Sequence, residues 1–147
     1  MRLTNIYLIT ALAISFTSQP LRAEEEGGSA KIGPDQAITM FDPEKGIQLS
    51  DLAIKNIGIK TQSLLNSTAI QVPISSLVYF QDDVGVYRLR DQWFNLVKVQ
   101  VLSKTAREAQ LKTSDIGSKD QVVTQGTALL RVAHLEASEG EGNGHDD

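Results

Sequence analysis

Val78-Tyr79-Phe80-Gln81-Asp82-Asp83-Val84-Gly85-Val86-Tyr87-Arg88-Leu89-Arg90 is an apolar run, a polar break and a second apolar run, and it decides the fold class. Val, Tyr and Phe fit a pleated surface, and Asp and Gly between them supply turn chemistry. The stretch therefore predicts a hairpin turning over Gln81 to Gly85. Asp91-Gln92 makes a second turn. From Trp93 to Leu102 the side chains alternate: Trp93, Asn95, Val97, Val99 and Val101 fall on one face, and Phe94, Leu96, Lys98, Gln100 and Leu102 on the other. The valine-bearing face is expected to be the core face. Trp93 and Phe94 then point to opposite sides, so one is core and the other is a candidate aromatic contact for a partner.

Outward from this centre the same period continues. Downstream, Thr105 to Glu108 reads as a loop, Ala109 to Thr113 as a strand, Ser114 to Asp120 as a turn around Gly117, and Gln121 to Gln125 as the last strong strand. Gly126 breaks it, and Thr127 to His134 closes the domain as a strand or a short helix. Upstream, Ser50 is a suitable N-cap for a short helix through Asn56. Asp51 lies near its positive end, and Gly58 offers a left-handed stop. Pro73 forces Val72 into extended geometry and denies a ladder donor, which marks a strand end followed by a helical turn over Ser75 to Leu77.

The ends read differently. Arg2, the apolar run Ile6 to Phe16, and Leu21-Arg22-Ala23 before Glu24-Glu25-Glu26 have the layout of a secretory signal peptide cleaved after Ala23. That run has 11 residues, whereas a membrane span needs roughly 17 to 25. The chain is therefore expected to be secreted. Residues 24–46, with the run Glu24-Glu25-Glu26, Gly27-Gly28, Gly33-Pro34 and Asp42-Pro43, read as a flexible linker holding one extended segment at Ala37 to Phe41. Residues 136–147 read as a disordered acidic tail, leaving 47–135 as the folding body.

The chain has 147 residues, a formal net charge of −4 and no Cys. A net acidic balance argues against nucleic acid as a partner, and without Cys the fold must rest on packing. A hydrolase needs a nucleophile with a base in reach, yet only His134 and His145 are present. No Gly-rich phosphate loop, strand-end pair of carboxylates or dense ligand spacing appears. The expectation is a protein that is not an enzyme and needs no cofactor. His145, Asp146 and Asp147, with Glu139 and Glu141, are weak candidates for holding a divalent cation. A methionine copper site cannot be assembled, since Met1 and Met40 are the only methionines. Arg88, Arg90, Lys98 and Arg107 are candidates for a mildly basic flank facing lipid headgroups or an acidic protein surface.

Ile47-Gln48-Leu49-Ser50-Asp51-Leu52-Ala53-Ile54-Lys55-Asn56-Ile57-Gly58-Ile59-Lys60-Thr61 resembles the beginning of a periplasmic adaptor, or membrane fusion protein, of RND tripartite efflux pumps. Val72-Pro73-Ile74-Ser75-Ser76-Leu77-Val78, Val86-Tyr87-Arg88-Leu89 and Gln121 to Leu130 resemble segments near that family's end. The resemblance covers Ile47 to His134 and is nearest to the heavy-metal type. It implies the membrane-proximal domain alone, an all-β, mainly antiparallel small β-barrel or β-roll with one or two short helices. The lipoyl half-motifs and the heptads of the helical hairpin are missing, and Lys119-Asp120 stands where the family more often has Gly-Asp. A domain whose two sequence ends pair can lose the insertion between them, and a short turn at Asn66-Ser67 would replace it. The expected product is a closed module of roughly nine strands or fewer.

The resemblance implies the periplasm of a Gram-negative bacterium as the compartment. The implied function is that of a non-enzymatic periplasmic accessory of an RND-type efflux system. It would dock on the inner-membrane transporter or on its full-length adaptor, peripheral to the inner membrane and able to form a homo-oligomer. The alternative is a soluble periplasmic protein that binds divalent metal through its acidic, His-bearing tail.

Overall fold

Antiparallel strands dominate the chain, with one helix near each end of the folded part. The computed structural model describes residues 31–64 and 69–141. In chain order the first elements are β1 (Ile38–Asp42), β2 (Gly46–Leu49), α1 (Asp51–Ile57), β3 (Lys60–Ser63) and β4 (Ile70–Pro73). A 3-10 turn at Ile74–Ser76 leads to β5 (Val78–Phe80), β6 (Asp83–Arg90), β7 (Trp93–Lys98), β8 (Gln100–Lys104), β9 (Glu108–Lys112), β10 (Gln121–Gln125) and α2 (Thr127–Glu141). The local signals in the sequence act as expected. Ser50 caps α1 by accepting from the Ala53 amide, and Gly58 ends it at φ 72°, in the left-handed region that glycine enters without cost.

The all-β, antiparallel expectation holds, but the strands do not close into a barrel. A seven-stranded sheet runs β1-β2-β7-β6-β10-β3, with β5 also on β6, and a separate three-stranded sheet runs β4-β9-β8. The long alternating stretch after Trp93 joins them. It breaks at Val99, whose amide donates to the Val84 carbonyl at 2.9 Å, and the chain continues as β8 in the small sheet. The small sheet thereby folds back over one face of the large one. On the other face lie α1 and α2.

Consequently the large sheet is buried on both sides, which corrects the reading of a single core face. Tyr87, Phe94 and Val123 pack toward the helices with Ala53, Leu130 and Ala137. Val86, Val97, Val99 and Val122 pack toward the small sheet with Val72 and Leu111. Burying each such side chain contributes about 1.5–3 kcal/mol.

The limits of the body also differ from the sequence reading. β1 lies within the stretch expected to be linker, at its extended segment, and pairs with β2; its Ile38 is buried. α2 runs on to Glu141, into the stretch expected to be tail, because Ala137 packs into the core two turns after Leu130. The leader 1–23, Asn66-Ser67 and residues 142–147 lie outside the described residues. Among the described residues no helix is long and apolar enough to cross a membrane.

Candidate functional site

The small sheet covers only part of its face of β6 and β7. Val84, Val86, Val97 and Val99 lie beneath it. Along the same faces the next positions are Arg88 and Arg90 on β6, and Asn95 and Trp93 on β7, with Arg88 opposite Asn95 and Arg90 opposite Trp93. Arg88, Arg90 and Asn95 line an open recess beyond the small sheet, and Trp93 is the next residue on that face of β7. A polar cleft of about 540 Å³ is bounded there by Glu44, Arg88, Arg90, Asn95, Ser114 and Asp115. Around the corner a second cleft, of about 570 Å³, lies between Leu89–Gln92 and Gly117–Gln121.

An ion pair holds the wall between the two clefts. Arg90 Nε donates to Asp120 Oδ1 at 2.7 Å, and Nη2 to Oδ2 at 2.6 Å. Asp120 is 2% exposed, and its Oδ2 also accepts the Gly117 amide at 2.7 Å. The Arg90 hydrogen bond, the Gly117 amide and the charges of Arg90 and Arg88 hold this carboxyl below its ordinary value against the opposing effect of burial. The pair thus pins the turn after Thr113 to the sheet. Asp120 escaped notice in the sequence as a site residue, although its dipeptide stands at a position the resemblance singles out.

Arg88 is held by the same turn. Its Nη1 donates to the Asp115 carbonyl at 2.7 Å, while its buried Nε has no hydrogen-bond partner among the described residues. Asn95 Nδ2 donates to the Glu44 carbonyl at 2.5 Å, which ties the β1–β2 turn to the rim. Trp93 is half-buried with Lys45 Nζ 5.6 Å above its ring. Lys45 also pairs with Asp42 at 3.5 Å, so the recess offers the guanidinium of Arg88 with the Trp93 ring close by, a set that suits a carboxylate.

The other sequence candidates divide. Phe94, 1% exposed, is a core residue and offers no surface to a partner; Trp93 alone of the two is accessible. Lys98 borders the cleft, but its ammonium pairs with Asp83 at 2.6 Å. Arg107 belongs to the β8–β9 loop, apart from the other three, where its carbonyl accepts from Ile74. The metal candidates His145, Asp146 and Asp147 lie outside the described residues, and among the described residues no cluster of three or more His, Cys, Asp or Glu could hold an ion.

His134 is half-buried on the inner side of α2, with its Nδ1 3.1 Å from the Tyr87 hydroxyl and its ring near Phe41. Burial, and then the charge of Arg131, lower its proton affinity. Burial likewise pushes the Tyr87 hydroxyl up to about 12, against the pull of Arg131. The pair ties the helix to the sheet rather than opening onto either cleft.

No protein-family model, curated protein or solved structure matches the chain.

Proposed function

We propose that this chain is a non-enzymatic, adaptor-like accessory of an RND-type efflux system, of the heavy-metal kind, acting in the periplasm. It docks on the inner-membrane transporter or its full-length adaptor through the recess at Trp93 and Arg88. The observation that carries the reading is the pairing of β3 with β10. Lys60 to Ser63, which extend the stretch resembling an adaptor's beginning, lie in register with Gln121 to Gln125, from the stretch resembling its end. A sheet in which an early and a late segment pair directly can keep its core when material between them is missing. The recess adds a surface: the half-exposed Arg88 side chain and the half-buried Trp93 ring, on neighbouring strands, are the materials of an interface anchor.

A photo-crosslinking residue at Trp93 is expected to capture the inner-membrane transporter or its adaptor and not the outer-membrane channel. Arg88→Glu should weaken that capture. The chain is also expected not to restore metal resistance when a full-length adaptor is deleted, because it lacks the heptads that would reach the outer-membrane channel. Rescue by this chain alone overturns the proposal, as does a Trp93 crosslink to the outer-membrane component.

A further inference from the structure

α2 is apolar on two sides. Its inner side, Leu130, Ala133 and Ala137, meets the sheet, as an i, i+3, i+7 stripe should. Its opposite side carries Leu129, Val132 and Leu135, which are 57%, 49% and 41% exposed. Leu52, on the outer side of α1 in the same layer, is 67% exposed. The same face carries Glu136 and Glu139 only in its C-terminal half, so the stripe is apolar at its start and acidic at its end.

The charges at the ends of α2 indicate what covers this stripe. The first turn holds no acidic residue and the last turn no basic one, while Glu136 and Glu139 are exposed toward the C-terminal end. That arrangement opposes the helix dipole instead of complementing it. At the N-terminal end the surroundings are basic: Lys60 is in register with Gln125, and Lys55 lies in the last turn of α1, next to Ile57, which approaches Gly126. None of these four charged side chains takes part in an ion pair among the described residues. A second α2 packed antiparallel would set each acidic end against a basic, dipole-positive end. A parallel one would stack acid on acid, and an anionic lipid surface would meet the two glutamates.

We propose that the outward face of α2 is a homodimer interface in which two copies pack their α2 helices antiparallel about a two-fold axis near Val132. Val132 then meets Val132 of the partner subunit, and Leu129 meets Leu135 of the partner subunit. The contact is independent of the recess at Trp93, so the dimer can form whether or not that recess docks on an efflux pump. A pair of 15-residue helices buries less than the roughly 800 Å² per partner of a standard interface, so the dimer is a concentration-dependent one.

The absence of Cys makes the test clean. In the full chain, Val132→Cys should crosslink to itself on oxidation. Leu129→Cys and Leu135→Cys should link efficiently only when the two variants are mixed. In sedimentation velocity the full chain should approach twice the monomer mass as concentration rises, with dissociation favoured by added salt. Val132→Glu should return it to monomer while leaving the melting temperature of the fold in place, because the side chain already faces solvent. Efficient self-linking at Leu129 or Leu135 overturns the antiparallel register. A dimer that survives Val132→Glu, a monomer at every concentration, or a monomer that binds vesicles rich in phosphatidylglycerol overturns the interface itself.

Discussion

At the scale of single residues, two buried polar contacts decide what acid does to this protein. Arg90→Ala leaves the Asp120 carboxylate buried with only the Gly117 amide, and should cost about 2–3 kcal/mol in urea unfolding; Arg90→Lys, which keeps the charge but not the two parallel bonds, should fall between. The folded Asp120 carboxyl sits below its ordinary value of 3.8, so its contribution is complete above that pH and is lost as pH falls through the folded value. The stability gap between the native protein and Asp120→Asn should therefore close only in strong acid. His134 acts at higher pH. Its folded affinity for a proton is below the ordinary 6.5, so the unfolded chain takes the proton first and stability starts to fall as pH drops below about that value. A pH series comparing the native protein with His134→Gln should show the two approaching each other as pH falls below about 6.5, because burial among Tyr87, Phe41 and Arg131 favours the neutral ring.

Gly85 shows how a correct local pattern can carry the wrong reason. The composition places it in the hairpin turn, but the turn is only Gln81-Asp82, because Phe80 pairs with Asp83 and Gly85 already pairs with Val78. A side chain at Gly85 would come within 2.7 Å of the Val97 carbonyl and 2.8 Å of the Phe80 ring. Its role is close approach across the sheet, which no turn statistic expresses.

Among the elements, β7 differs most from its sequence reading. Alternation marks two faces but does not say that one must be wet, and here Phe94 meets the helical layer while Val97 meets the small sheet. Val97→Asp and Phe94→Ala should each cost about 3–5 kcal/mol by thermal or urea unfolding. Survival of the Val97 change would mean that the small sheet is dispensable to the large one. The sheet edges carry their own protection. β8 is bulged at Leu102 and ends in Lys104, β4 ends in Pro73, and β1 is bulged at Thr39. Each feature discourages the addition of a foreign strand at its edge.

For the whole molecule, the folded unit is larger than the resemblance suggests. A chain of residues 47–135 lacks buried Ile38 with the rest of β1, and the Ala137 turn of α2. It should unfold about 3 kcal/mol more easily than a chain of residues 31–141, as measured by urea titration. Equal stability would show that β1 and the last turns of α2 are ornaments on a smaller core. The three-layer order also explains why no barrel forms: both faces of the large sheet are already covered, by α1 and α2 on one side and by β4, β9 and β8 on the other.

The amino-acid sequence by itself determined the antiparallel β class, the limits of α1 through Ser50 and Gly58, the turn at Asp91-Gln92 and the strand at Gln121 to Gln125. These are set by short-range chemistry: caps, turn residues and a period of two. The tertiary structure alone decided that β7 and β8 part company at Val99, that α2 continues to Glu141, and that Phe94 is core while Trp93 is not. It also brought Asp120 to Arg90 across 30 residues and left the buried Arg88 Nε without a partner among the described residues. Such outcomes depend on which layer covers each face, and that is settled by contacts between segments far apart in the chain, where local periodicity carries no information.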